Sequence, residues 1–494
     1  TLFRSNAIQN KTFTENGALT HISSGSGILD LFFHGAAIRK TRPEAIIELF
    51  NKAFEEDPNL ALKTLFYIRD IRGGQGERKV FRLALKNFME NHSEWFTEEN
   101  IKLIPEYGRF DDLFCLIEDK TLYDQHIRNI YQVINEQFLT DLENLKNNNL
   151  THISLLAKWM PSINASSKET KKLGKLLCNY VSEGNEKQYR QSLSALRKAL
   201  NILETKMSNK EYDLIDYSKI PSLAAIKYIK AFWRNDKERY GQYVEALKKG
   251  ETKINTSTLY PYDIVHKMTG TWGAQYTHDE TLEQAWKNLP DYVNGLKGLV
   301  IADVSGSMNG TPLEVCLSLA VYIAERNKNP EFKDKFITFS AKPELQSIVG
   351  NNLAEKFNNL SKAHWDMSTD FQKVFDLVLD RAKACNVPQE DMPEMLLAIS
   401  DMEFDSASRG STNLEVIQQR YVEAGYKMPK LVFWNVNSHQ TQTPGTTNDK
   451  GVYLVSGCSP SVLKYVLNLS SDDNMLDLVK KTVDNERYEK VNFK

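Results

Sequence analysis

The feature that most constrains this chain is a change of hydrophobic period near residue 295. Upstream, Ala45, Ile46, Leu49, Phe50, Ala53 and Phe54 recur at three- and four-residue spacing. Leu60, Leu62, Leu65, Phe66 and Ile68 repeat the pattern after Asp57-Pro58-Asn59. That spacing marks helices which bury one face. Gly73, Gly74 and Gly76 break the second helix, and Glu77–Met89 reads as the next. Loops near Pro105, Asn147–Asn149, Pro161, Glu183–Asn185, Pro221 and Pro261 separate further helices. Residues 40–290 therefore read as an α-helical solenoid of stacked pairs, with a compact bundle as the alternative, since no exact repeat is visible. Downstream, Leu299–Asp303, Phe336–Phe339, Leu396–Ser400, Leu431–Trp434 and Val452–Val455 are short apolar runs. Amphipathic stretches at Pro312–Asn327, Phe371–Cys385, Asn413–Ala424 and Pro460–Leu469 lie between or after them. Strand and helix in regular order predict a parallel sheet covered on both faces, a doubly wound α/β domain over 295–494. Residues 1–39 stand apart as an N-terminal segment.

In doubly wound sheets, ligands bind at strand C-termini near the switch point. Asp303 ends the run Gly298-Leu-Val-Ile-Ala302 and opens Asp303-Val-Ser305-Gly-Ser307. A carboxylate and two hydroxyls on one tight loop can converge on a small hard cation. Three ligands do not complete an octahedron, so other loops must contribute. Thr369 stands just before a predicted helix, and Asp401 follows the apolar run Leu396–Ser400. The predicted metal ligands are thus Asp303, Ser305, Ser307, Thr369 and Asp401. An all-oxygen set selects Mg²⁺ first, with Mn²⁺ or Ca²⁺ as alternatives. Serines that merely cap a helix would leave the two partner loops unexplained.

Length and composition set the limits. A chain of 494 residues is too long for one ordinary core. Its net charge of −2 excludes a polycation that coats nucleic acid indiscriminately. Five dispersed cysteines form no Cys-x-x-Cys pair, which argues against zinc and against a disulfide framework. No run of eighteen apolar residues and no secretory leader is visible, so a cytoplasmic protein is the expectation.

Charge is uneven along the chain. Residues 151–250 hold 19 Lys and Arg against 10 Asp and Glu, whereas 101–150 hold five against nine. Lys168, Lys171, Lys172 and Lys175 share one face of a predicted helix; Arg190, Arg197 and Lys198 follow, then Lys227, Lys230 and Arg234. Such faces neutralise phosphates, and the interleaved Tyr228, Phe232 and Trp233 could stack unpaired bases. Solvated lysine faces and core aromatics are the plainer explanation of both features. The turn Arg72-Gly-Gly-Gln-Gly-Glu-Arg78 follows no strand and lacks Lys-Ser/Thr, so it is no Walker loop. An Arg–carboxylate network with Asp70 and Glu77, packing two helices, is the favoured role, and Arg109, Asp111 and Asp112 suggest a similar one.

Asp303-Val-Ser-Gly-Ser-Met308, Thr369-Asp-Phe-Gln-Lys-Val-Phe375 and Ser400-Asp-Met-Glu-Phe-Asp405 resemble the metal-ion-dependent adhesion site of von Willebrand factor A domains. More closely they resemble an uncharacterised plant, bacterial and viral family that joins such a domain to a helical region. Ile68–Arg78, Tyr107–Leu113, Ala157–Ser162, Phe433–Asn435 and Leu454–Gly457 extend that likeness. More distantly, Arg72–Arg78 and Tyr107–Asp112 are similar to the Ro autoantigen (TROVE) proteins, which place a ring of HEAT-like repeats before an A domain. That resemblance implies binding of small noncoding RNAs or single-stranded RNA ends by the helical region.

Catalysis is not expected. Asp370 and Glu403 flank the proposed ligands, but no His stands beside the metal loop in sequence, and the candidate His364 precedes a different loop. No general acid and base can be paired. The resemblance implies that the metal accepts an acidic group of a protein partner. A metal-dependent interaction module without RNA, and a metal-dependent hydrolase, remain as alternatives.

Overall fold

Apolar runs flanked by amphipathic stretches fold as their periods dictate, one half into helices and the other into a covered sheet. A computed structural model describes residues 10–39, 43–117, 124–269, 275–293, 296–330, 332–339, 343–362, 370–405, 412–468 and 473–493. An N-terminal hairpin pairs β1 (Lys11–Phe13) with β2 (Leu19–His21). The main sheet holds β3 (Gly298–Ala302), β4 (Lys335–Thr338), β5 (Leu345–Ser347), β6 (Met395–Ser400), β7 (Lys430–Asn435) and β8 (Val452–Ser456). Their order is β5-β4-β3-β6-β7-β8.

Every residue of β3, β6 and β8 is buried, as expected for strands covered on both faces. The β3–β4, β3–β6, β6–β7 and β7–β8 pairs are parallel. The sheet is mixed, however, not wholly parallel: β5 lies antiparallel on β4. Leu345 and Ser347 are exposed and Gln346 is half-buried, so no apolar run announced it. The first strand, β3, has its successor β4 on one side and β6 on the other, which places the switch point between β3 and β6.

Upstream of the sheet the chain is helical, beginning with Pro43–Glu56, Pro58–Arg69 and Lys79–Asn91. Asp57 accepts from Leu60 N and so caps the second of these, with Pro58 in its first turn. In the α/β half, Thr311–Arg326, Phe371–Ala384 and Asn413–Glu423 match the expected helices within a residue. The stretch from Pro460 instead forms a 3₁₀ turn, Pro460–Val462, running into the short helix Leu463–Val466. Among the described residues no helix is long and apolar enough to cross a membrane.

The two halves are bolted together at both ends of the described chain. Helix Gly27–His34 packs on β8 and also on Pro43–Glu56 and Pro58–Arg69. Residues 484–493 fold back onto the helices: Asn492 O accepts from Trp95 Nε1 at 2.8 Å, and the Phe493 ring meets Phe54 and Phe88. A third junction joins helix Pro261–Thr269 to Thr311–Arg326, where His266 Nδ1 lies 2.9 Å from Glu314 Oε2.

Candidate metal centre and basic cavity

Parallel pairing of β3 with β6, in a register that sets Ala302 opposite Ile399, brings both strand ends to one edge. Asp303 and Asp401 follow those ends and are almost fully buried. Asp303 Oδ1 accepts from Ser305 N at 2.9 Å, and its Oδ2 accepts from Ser400 Oγ at 2.5 Å. Ser305 Oγ and Ser307 Oγ are 3.0 Å apart, and the Ser307 hydroxyl bonds to Asp401. Asp401 Oδ1 accepts from Glu403 N at 3.2 Å, whereas its Oδ2 is buried with no hydrogen-bond partner. Met402, between Asp401 and Glu403, has φ +70°, a left-handed conformation that costs a non-glycine residue roughly 1 kcal/mol.

The electrostatics are those of a site short of positive charge. Burial, and then the nearby charge of Asp401, pushes Asp303 up to about 7. Burial also raises Asp401 against the Ser307 hydrogen bond, with the Glu403 charge adding to the rise. Two buried carboxylates, one of them with an orphaned oxygen, and two hydroxyls form a donor set suited to a hard divalent cation. Among the described residues no three His, Cys, Asp or Glu side chains converge, so hydroxyls must carry part of any such set. Four of the five expected ligands come together. Thr369, the fifth, lies outside the described residues, as does His364.

Around this edge the structure adds to and corrects the sequence reading. A histidine does stand beside the site: His439, on the loop after β7, has Nε2 3.8 Å from Asp401 Oδ2. Its place depends on β7 lying next to β6, a strand order that local sequence does not encode. Asp370 caps helix Phe371–Ala384 and pairs with Lys373 at 3.2 Å. Glu403 is buried and accepts from Glu15 N and Gln442 Nε2, so the turn of the N-terminal hairpin rests against this edge.

A cavity of about 970 Å³ lies in the helical half. Segments drawn from Arg69 to Asp263 wall it, and it carries seven cationic side chains against three acidic ones. Of the cations expected to meet RNA, Lys227 alone lines it; Arg78, Arg109, Lys158, Lys206 and Lys219 were not anticipated. Arg109 lies over the Trp159 ring at 4.0 Å. Arg78 and Lys158 have no carboxylate partner among the described residues. Lys168, Lys171, Lys172 and Lys175 are exposed on helix Lys168–Val181, and Arg190, Lys198, Lys230 and Arg234 are exposed as well. Arg197 differs: its guanidinium donates to Ala157 O and Met160 O. Phe232 is core, while Trp233 is part-exposed against Tyr240.

The glycine-rich turn is a joint between the halves. Asp70 accepts from Arg72 N and Gly73 N, and Gln75 Nε2 reaches Ser456 O at the end of β8 at 2.7 Å. At Gly74 a Cβ would stand 2.0 Å from Tyr67 O, so only glycine fits. The expected network takes different partners: Asp70 meets Arg487, Asp112 meets Arg69 and Arg82, and Glu77 lies 4.0 Å from Arg39.

Family models match nearly the whole chain. One, described as domain of unknown function DUF2828, matches residues 14–105 and 115–295; another, DUF7788, matches residues 297–494. The chain belongs to the DUF2828 family. A relative of this DUF2828 protein is an uncharacterised protein, L728, of Acanthamoeba polyphaga mimivirus. It is 32% identical over 499 residues, covering 93% of this chain and 85% of its own. Among solved structures, the Ro (RSR) protein of Deinococcus radiodurans superposes with a TM-score of 0.51 at 12% identity. That match covers 94% of this chain and 100% of the Ro chain, so the two share a fold from the helices through the α/β half.

Proposed function

We propose that this DUF2828 protein is a non-catalytic, Ro-like RNA-binding protein whose helices form a HEAT-like ring around the basic cavity. The observation that carries the reading is the excess of cations, several without carboxylate partners, in a cavity of about 970 Å³. Cations fixed in a concave wall attract phosphates and release their counterions. Trp159, Leu155, Leu214 and Leu223 give the same wall an apolar surface for bases. In this reading the α/β half is a von Willebrand factor A-like domain in which Asp303, Ser305, Ser307, Asp401 and Thr369 hold a divalent cation. That cation would neutralise the buried aspartates and accept an anion at its open position. Ser305 and Ser307 orient the donors, and Ser400 fixes the Asp303 carboxylate.

Fluorescence anisotropy with a labelled single-stranded oligoribonucleotide and a blunt duplex of equal length tests the RNA reading. Tighter binding of the single strand is expected, weakening with salt. Replacing Arg78 and Lys158 together by alanine should lower affinity on the order of tenfold and flatten the salt dependence. Affinity no greater than that of an unrelated acidic protein would sink it. A protein-interaction reading is favoured by the orphaned Asp401 oxygen at the sheet edge. It requires a partner whose capture is lost with Asp303→Ala while RNA affinity stays intact.

A further inference from the structure

The stretches Tyr107–Leu113 and Ala157–Ser162, remote in sequence, meet in the wall of the basic cavity, where Arg109 and Trp159 both line the space. We infer that this guanidinium–indole pair is the shelf on which one unpaired base of a single-stranded RNA stacks, and that it favours a purine there. The inference rests on the RNA reading above and adds to it a base class and the two residues that select it.

Trp159 differs from the other tryptophans. Trp95, Trp233 and Trp286 pack against other aromatic rings, and Trp434 is wholly buried. Trp159 is half-buried and has no aromatic neighbour among the described residues. Cations stand over its ring instead, the Arg109 guanidinium at 4.0 Å and Lys158 Nζ at 5.7 Å from the centre. A large ring left part-exposed in a concave wall offers an occupant a flat apolar face.

Both partners are fixed before anything binds. Leu156, Ala157 and Met160 are buried, which leaves Lys158 and Trp159 to line the cavity. Ser154 ties the start of this segment to Asp141 through bonds of 2.8 and 2.6 Å. The Arg197 guanidinium holds its end at Ala157 O and Met160 O. Arg109 Nε and Nη2 donate to the two carboxylate oxygens of Asp111 at 2.8 and 2.6 Å, and Arg109 N donates to Asp112 Oδ2 at 2.9 Å. A two-pronged bond of that kind sets the guanidinium plane. The shelf therefore receives a base with little further ordering of its own side chains.

Chemistry narrows the occupant. Guanidinium and indole hold a base by its flat face, and a base inside a duplex already stacks on both faces, so an unpaired one is required. Stacking strengthens with the area of overlap, and the two fused rings of a purine cover more of the pair than one pyrimidine ring. In the same wall, Arg78, Lys158 and Lys227 supply charge for the backbone phosphates on either side of that base.

Anisotropy titration of the full chain with a short oligouridylate, and with the same strand carrying one central adenosine, reads the preference. The adenosine should tighten binding roughly fivefold, and a fluorescent purine analogue in its place should be quenched as the strand binds. Trp159→Ala should remove both the preference and the quenching. Arg109→Lys should remove the preference while the salt dependence stays, because the charge remains and the flat face does not. Equal binding of the two strands by the unmutated chain overturns the purine preference, and an unquenched analogue overturns the shelf, while the RNA reading stands in either case. A preference that survives in either variant overturns the pair as its source. No binding of either strand overturns the shelf and the RNA reading together.

Discussion

The molecule buries aspartates in two regions and treats them in opposite ways. At the joint of helices and C-terminal tail, Asp70 and Asp112 are fully buried and meet guanidinium groups. Asp112 pairs with Arg69 at 2.8 Å and Arg82 at 2.7 Å. Burial opposes the charge of Asp70, yet the hydrogen bonds from Arg487, Arg72 N and Gly73 N outweigh it and hold the carboxyl below its usual range. At the sheet edge, Asp303 and Asp401 are buried as deeply but have only hydroxyls, backbone N–H groups and each other close by, with the His439 ring beyond hydrogen-bond reach. There the shift goes upward. Residue type and burial are alike, so they do not explain the contrast. What differs is whether the protein supplies the counter-charge itself or leaves that to a bound ion.

The contrast predicts mutational effects of opposite sign. Asp112→Asn leaves Arg69, 2% exposed, without its charged partner, and losing one member of such a pair costs about 3–5 kcal/mol. Urea unfolding at neutral pH measures it; a loss under about 1 kcal/mol would mean that the joint is not held by this pair. Asp303→Asn in chelator should instead stabilise, by roughly 1–3 kcal/mol at pH 8. Asp303 titrates near 3.8 in the unfolded chain and is pushed up to about 7 when folded, so between those values the folded state holds more protons. Stability from this group is present below pH 4 and lost as pH rises through 7. The wild-type melting temperature in chelator should therefore fall from pH 5 to pH 8, with Asp303→Asn less affected. Saturating divalent cation should reverse the ranking. A destabilised Asp303→Asn in chelator at pH 8 would break the comparison.

The two regions also differ in how much of them the sequence discloses. Asp303, Ser305, Ser307 and Asp401 were legible because each follows an unbroken apolar run that could only be a covered strand, and β3 and β6 end within a residue of expectation. His439 was not, since nothing in Asn437-Ser438-His439-Gln440 reveals that its strand lies next to β6. The Asp70–Arg487 pair spans 417 residues and belongs to no local pattern. The helices show an intermediate case. Periodicity identified the outward face of Lys168, Lys171, Lys172 and Lys175, but Lys158, Lys206 and Lys219 line the cavity from short helices and turns, where no period indicates which way a side chain faces. Composition registered the positive charge of 151–250 without its direction.

The smallest of these effects should come from Arg487, the exposed partner of a buried acid. Its side chain is 39% exposed, while Asp70 is wholly buried and keeps the Tyr488 hydroxyl at 2.9 Å and the N–H groups of Arg72 and Gly73 when Arg487 is removed. Arg487→Ala should therefore cost about 1–2 kcal/mol, the scale of a charged hydrogen bond whose acceptor retains other donors. Because Asp70 has a lowered folded pKa, the stability it supplies is present above about pH 4 and lost as pH falls below that. The gap between wild type and Arg487→Ala should then narrow when urea titrations at pH 7 are repeated near pH 3. A gap as wide as that of Asp112→Asn would show that exposure of the guanidinium does not soften its loss. The counter-charge would then matter more than the backbone donors around it, and the same logic would demand a cation at the sheet edge all the more strongly.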